Sequence, residues 1–247
     1  MYNDRKFRTT IVREQTKYIR KGEMMSSISI FDVMGPNMIG PSSSHTAGAL
    51  RIALLARNLA KGEVKSAKFT LYGSFARTYQ GHGTDRALVG GILGYRTDDE
   101  RIRNSFEYAK EAGISYEFVE NFTNKDVHPN TVDIELTCED GHVITMQGVS
   151  IGGGNAVIKK LNGVDIDMNG ASPTVIVKQW DRKGVLAYIT KVLSDADLNI
   201  GALRLYREGK GKAAYAIAEL DGRVSDDILE RLEQYPDNIV TTYIPAL

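Results

Sequence analysis

Cysteine is nearly missing from this chain: Cys138 is the single one among 247 residues. One thiol excludes an internal disulfide and any metal site built from the cysteines of one chain. Net charge is missing too, with 31 Lys and Arg against 31 Asp and Glu. That balance argues against a strongly basic nucleic-acid binder and against a polybasic membrane-surface protein. No apolar run approaches the roughly 20 residues of a membrane span, and no charged-then-apolar leader with a small-residue cleavage site opens the sequence. A cytoplasmic protein is the expectation. What remains is ordinary: 42% hydrophobic and 25% charged residues suit a soluble globular chain, long enough for one large domain or two modest ones.

Residues 1–25 differ from the rest. Arg5, Lys6, Arg8, Arg13, Lys17, Arg20 and Lys21 outnumber Asp4, Glu14 and Glu23, and apolar residues are few, so an N-terminal extension is expected there. From 26 to 170 strand-like and helix-like stretches mix. A helix is expected over 47–60 and a strand over 64–72, where Ala67, Phe69 and Leu71 share one face. Thr84 or Asp85 can cap a helix reaching 93, and Asp98 another that stops at Gly113. Strands at 131–138 and 143–149 flank one hairpin turn, and those at 156–161 and 164–168 flank Asn162-Gly163, the strongest short hairpin signal present. After a turn-rich break at 169–173, the stretch 174–247 reads strand, helix, strand, strand, helix, strand, the ferredoxin-like order. The expected class is mixed α/β (α+β) with a small second domain.

Chemistry concentrates in Gly40-Pro41-Ser42-Ser43-Ser44-His45-Thr46-Ala47-Gly48. Hydroxyls just before a helix can cap it, and the free N–H groups and dipole of the first turn suit a carboxylate or phosphate. His45 would stand beside that anion as the group able to exchange a proton near neutral pH. A solvent-facing histidine after an ordinary cap is the plainer reading, but three serines exceed what capping needs. Tyr79-Gln80-Gly81-His82-Gly83-Thr84-Asp85 repeats the theme, although a glycine turn and a cap would explain it alone. Ser150-Ile151-Gly152-Gly153-Gly154-Asn155 ends a strand in glycines that permit close backbone approach, or simply a flexible connection. Its spacing is not that of a nucleotide-binding loop. His128 precedes a strand and is ambiguous, and His142 at a hairpin tip reads as solvated.

These strings resemble the beta chain of bacterial iron–sulfur L-serine dehydratases. The match covers Ser29 to Pro36 and Met38 to Thr46, with support from Leu71 to Phe75, Gly81 to Asp85, His128-Pro129-Asn130 and Ser150 to Gly154. The C-terminal part is similar to an ACT domain through Asp181 to Leu186 and Asp197 to Gly201, with Lys183 where members often carry proline. The resemblance implies dehydration of L-serine to pyruvate and ammonia at a [4Fe–4S] cluster that acts as a Lewis acid on the leaving hydroxyl. Such a cluster needs about three or four thiolates, so it must sit on a partner alpha chain. By resemblance His45 is the catalytic residue, and Ser42, Ser43, Ser44 and Thr46 bind substrate. His82, Asp85, His128, Gly152, Gly153 and Gly154 are further substrate-site candidates. Gly184 is a weak candidate for an ACT ligand, this chain holds no metal, and a homodimer contact through 174–247 is expected by analogy.

A different class of function is an amino-acid-binding regulatory protein. The large domain is also similar to the allosteric substrate-binding domain of some phosphoglycerate dehydrogenases, which likewise precedes an ACT domain. A binding module needs the anion loop but no proton-transferring histidine, so His45 favours an enzyme. A Ser-His hydrolase is disfavoured, because the serines adjoin His45 in sequence.

Overall fold

The computed structural model describes residues 37–247. The expected N-terminal extension at 1–25 and the Ser29–Pro36 part of the resemblance lie outside the described residues. Among the described residues no helix is long and apolar enough to cross a membrane.

A π-helical turn over Ser43–Ala47 runs directly into α1 (Gly48–Leu59), followed by β1 (Val64–Tyr72), α2 (Gly73–Thr78) and α3 (Thr84–Ile92). A 3-10 turn (Glu100–Asn104) leads to α4 (Ser105–Glu111) and then to β2 (Ser115–Asn121), β3 (Thr131–Cys138), β4 (Val143–Gly152), β5 (Asn155–Leu161) and β6 (Val164–Met168). These strands form one sheet in the order β2-β1-β3-β4-β5-β6. Only β1 and β2 run parallel. In β1, Ala67, Phe69 and Leu71 are buried while Lys68 is exposed, as a strand with one covered face requires. Asn162 (φ 48°) and Gly163 (φ 81°) both take positive φ, which the tight β5–β6 hairpin turn needs.

The second sheet holds β7 (Thr174–Trp180), β8 (Ile200–Arg207), β9 (Ala213–Leu220) and β10 (Asn238–Ile244) in the order β10-β7-β9-β8. With α5 (Val185–Asp195) and α6 (Asp226–Glu233) this is the ferredoxin-like arrangement. Val175, Val177, Ala216 and Ala218 pack with α5 and α6, while Ile176, Tyr215, Ile217 and Ile244 face the other way and join the core around α1. Both sheets therefore share one compact unit. Buried positions run round most of α1 because α3, the first sheet and β10 all pack on it. At the α1–α3 crossing, a Cβ on Gly91 would lie 2.5 Å from the Leu50 carbonyl oxygen. Only a glycine allows that approach.

Two expected caps differ. Gly83, left-handed at φ 66°, is the N-cap of α3; Thr84 is its first residue, without a capping bond, and Asp85 lies one position further on. The tight glycine turn delivers the chain already wound, so no side chain is needed to turn it. Asp99 rather than Asp98 caps the next segment, accepting the Arg101 N–H at 2.9 Å. That segment breaks at Asn104, where φ −118° and ψ 26° leave the helical region. Ser225 occupies the N-cap of α6 but makes no capping bond.

Candidate active site

Ser42 turns the chain from extended backbone into the π turn. Its hydroxyl accepts the His45 N–H at 3.2 Å, and its carbonyl accepts the Thr46 N–H at 2.8 Å. The Gly48 N–H reaches back to the Ser43 carbonyl, giving the wide turn that recurs at functional sites. The Ser43 and Ser44 N–H groups find no acceptor among the described residues, so the first turn presents bare donors with the helix dipole behind them.

His45 stands over this turn. Its Nε2 lies 2.9 Å from Ser74 Oγ and its Nδ1 3.4 Å from Ser42 Oγ. The ring meets Phe75 edge-on at 5.3 Å between centroids and lies 4.8 Å from the His82 ring. Burial, then the neighbouring His82 charge, lower the His45 pKa from 6.5. Both favour the neutral imidazole, a form able to take a proton near neutral pH.

Several motifs separated in sequence meet here. Thr46 is buried and its hydroxyl donates to the His82 carbonyl at 3.0 Å. That bond ties the two histidine loops together and commits Thr46 to holding the site rather than facing an open cavity. The Ser150 hydroxyl donates to the Ser44 carbonyl at 2.8 Å. The Ser74 N–H donates to the Pro129 carbonyl at 2.7 Å, and the Ser150 N–H to the Asn130 carbonyl at 3.0 Å. His82 Nδ1 and Thr84 Oγ1 are both buried without a partner among the described residues, polar capacity that a bound molecule can use.

The outer candidates are less central. Asp85 is half-buried one residue into α3, accepts the Arg86 N–H at 2.8 Å, and has its pKa raised by burial. His128 is exposed and its Nδ1 accepts the Asn130 N–H at 3.2 Å, so it shapes its own loop while Pro129 makes the contact with Ser74. Gly152, Gly153 and Gly154 all take positive φ in the turn just beyond Ser150. Gly184 belongs to the second sheet's layer, left-handed at the start of α5 (φ 92°), and is no part of this cluster. His142 is paired with Asp140 across its hairpin turn. Ser74 and Ser150 are the residues that motif reading passed over. Both stand inside the quoted strings, but nothing local says that they reach His45 and Ser44.

The chain does not fit an iron–sulfur cluster of its own. No group of His, Cys, Asp and Glu among the described residues can hold a metal ion. Cys138 is 1% exposed, and burial raises its thiol pKa, which disfavours the thiolate a metal needs. It ends β3, whereas His128 to Asn130 precede the start of that strand.

Fold and site define a mixed α/β protein with a half-buried imidazole set over the serine-rich start of a helix. Residues 29–161 match the family model of the serine dehydratase beta chain. The chain is 42% identical to a probable L-serine dehydratase beta chain of Bacillus subtilis, over 87% of its own length and 97% of that protein's. It is 40% identical to the L-serine dehydratase beta chain of Peptoniphilus asaccharolyticus, over 83% and 92% of the two chains. A D-3-phosphoglycerate dehydrogenase of Bacillus subtilis is 29% identical over 62% of this chain and 29% of its own. The chain belongs to the serine dehydratase beta chain family.

Proposed function

We propose that this chain is the beta subunit of an L-serine dehydratase (L-serine ammonia-lyase), working with an alpha subunit that carries a [4Fe–4S] cluster. The observation that carries the reading is the placing of His45, 2.9 Å from Ser74 Oγ, beside the Ser43 and Ser44 N–H groups, which have no acceptor among the described residues. Those donors and the nearby serine hydroxyls take the substrate carboxylate, which sets the α-carbon next to His45. The imidazole accepts the α-proton, water is lost across Cα–Cβ, and the resulting aminoacrylate hydrolyses to pyruvate and ammonia. His82 completes the wall of the site, with Asp85, His128 and the Gly152–Gly154 turn at its margin.

Alone, the purified chain should be iron-free and inactive on L-serine. Mixed anaerobically with the alpha chain, it should yield pyruvate and ammonia. Turnover by this chain without a partner, in the presence of a chelator, would sink the reading. His45→Ala should assemble normally and lose about 10²- to 10⁴-fold in turnover. Unchanged turnover would refute the assignment of His45 and move the proton transfer to His82 or His128. The ferredoxin-like unit is proposed as an ACT domain that pairs two copies through β8, the last strand of its sheet, where Leu203 is 36% exposed. Light scattering should show a dimer that Leu203→Lys weakens, and a monomeric wild-type chain would refute the pairing.

A further inference from the structure

The two serine hydroxyls at the His45 ring lie at unequal distances from its nitrogens. Among the described residues the ring has two side-chain hydrogen-bond partners, Ser42 Oγ at Nδ1 and Ser74 Oγ at Nε2. The Ser42 oxygen already accepts the His45 backbone N–H. At 3.4 Å from Nδ1 it is too far for a well-made bond, whereas Ser74 Oγ lies at the usual N–H···O distance from Nε2, so the single ring hydrogen is better held at Nε2. A neutral imidazole that accepts at Nδ1 carries its hydrogen on Nε2. That hydrogen points at Ser74, 2.9 Å off, the shorter of the two contacts.

Ser74 is placed firmly enough to act as a fixed acceptor. Its N–H donates to the Pro129 carbonyl at 2.7 Å, and its carbonyl accepts the Thr78 hydroxyl at 2.8 Å. Gly73 before it is left-handed at φ 52°, and a Cβ there would lie 2.7 Å from the Pro129 Cα. The turn that presents Ser74 is thus held by backbone on both sides. Its hydroxyl has no other side-chain or backbone partner than His45 among the described residues.

We infer that Ser74 is the positioning residue of His45: it accepts the Nε2 hydrogen, fixes that tautomer, and leaves Nδ1, behind the longer bond to Ser42, as the atom that takes a proton. The role in turnover rests on the dehydratase reading; the tautomer does not. Of the groups around the ring, Ser42, Ser74 and Phe75 are uncharged, and among the described residues His82 is the titratable one whose charge bears on His45.

The test is nitrogen NMR of the full chain labelled at its four histidines, assigned by changing each to Gln. His45 in the wild type should show a protonated Nε2 and a bare Nδ1. Ser74→Ala should lose that preference and lower the His45 pKa further, because the imidazolium loses an acceptor. Ser74→Thr, which keeps the oxygen, should restore both. A purely structural role would lower the melting temperature without moving the nitrogen pattern. A wild-type His45 protonated at Nδ1, or a Ser74→Ala pattern equal to wild type, would overturn the assignment, and the wild-type spectrum decides the tautomer even if Ser74→Ala does not fold. In the complex with the alpha chain, Ser74→Ala should cut kcat by about 10²-fold with KM little changed, with the acid limb of the pH profile moved to lower pH. Full kcat in Ser74→Ala would refute the positioning role. A wild-type complex inactive on L-serine, with the expected nitrogen pattern, would count against the dehydratase reading and leave the tautomer standing.

Discussion

Gly91→Ala joins the fold to the site. A Cβ at this position would lie 2.5 Å from the Leu50 carbonyl oxygen, 2.6 Å from the Ala53 Cβ and 2.9 Å from the Leu54 nitrogen. None of these belongs to a flexible side-chain end, so nothing can swing aside. Ordinary contacts between carbon atoms fall near 3.5–4.0 Å, and α1 would have to retreat by about 1 Å. Its far side is occupied by the first sheet and β10, which leaves no slack. Two effects compete. Alanine in a helix interior is favoured over glycine by about 1 kcal/mol. Overpacking of a filled core costs about 1–3 kcal/mol, and more where backbone must move. The clash wins by roughly 1–2 kcal/mol, or about 2–8 °C in Tm for a chain of this size. Because the π turn is continuous with α1, the same shift should disturb the His45–Ser74 contact. Calorimetric melts of both proteins decide the matter. A Gly91→Ala protein that melts at or above wild type would show that the helices can separate freely and would refute the packing argument.

Further outcomes follow from the site and its supports. Gly48→Ala would drive a Cβ into the Ser150 side chain and should cost about 1–3 kcal/mol. Ser150→Ala in the same chain should recover part of that loss, and a double-mutant cycle with purely additive terms would contradict the contact. Burial and His82 hold His45 below its ordinary pKa of 6.5, so the unfolded chain takes up the proton first as pH falls. Stability should therefore decline as pH drops through the unfolded value, and His45→Gln should flatten the stability curve between about pH 7 and 5. An equally steep curve in the variant would contradict the burial of the ring. Cys138 is 1% exposed and should resist iodoacetamide in the folded protein, reacting only on unfolding; labelling at a free-thiol rate would place it at the surface.

Local pattern was sufficient wherever the deciding force was local. The alternation of Ala67, Phe69 and Leu71 marked β1 with its ends, because a strand with one covered face must alternate. Asn162-Gly163 announced its hairpin because few residue pairs take positive φ twice in succession. The single Cys138 ruled out a cysteine-built cluster by counting alone. The run of serines before His45 marked the capped turn that opens α1, because N-terminal capping is read within one turn of helix. The edge strand β2, exposed along most of its length, carried no alternation to read. The break at Asn104 and the glycine cap at Gly83 depend on backbone angles that side-chain type does not dictate. Nor could periodicity reveal that β7 and β9 are covered on both faces, since that depends on α1 reaching across to the second sheet. The site itself is tertiary. Ser74 lies 29 residues from His45 and Ser150 lies 106 from Ser44, and they meet because the antiparallel pairing of β1 with β3 and β3 with β4 carries the last residue of β1, the first of β3 and the late residues of β4 to the same end of one sheet.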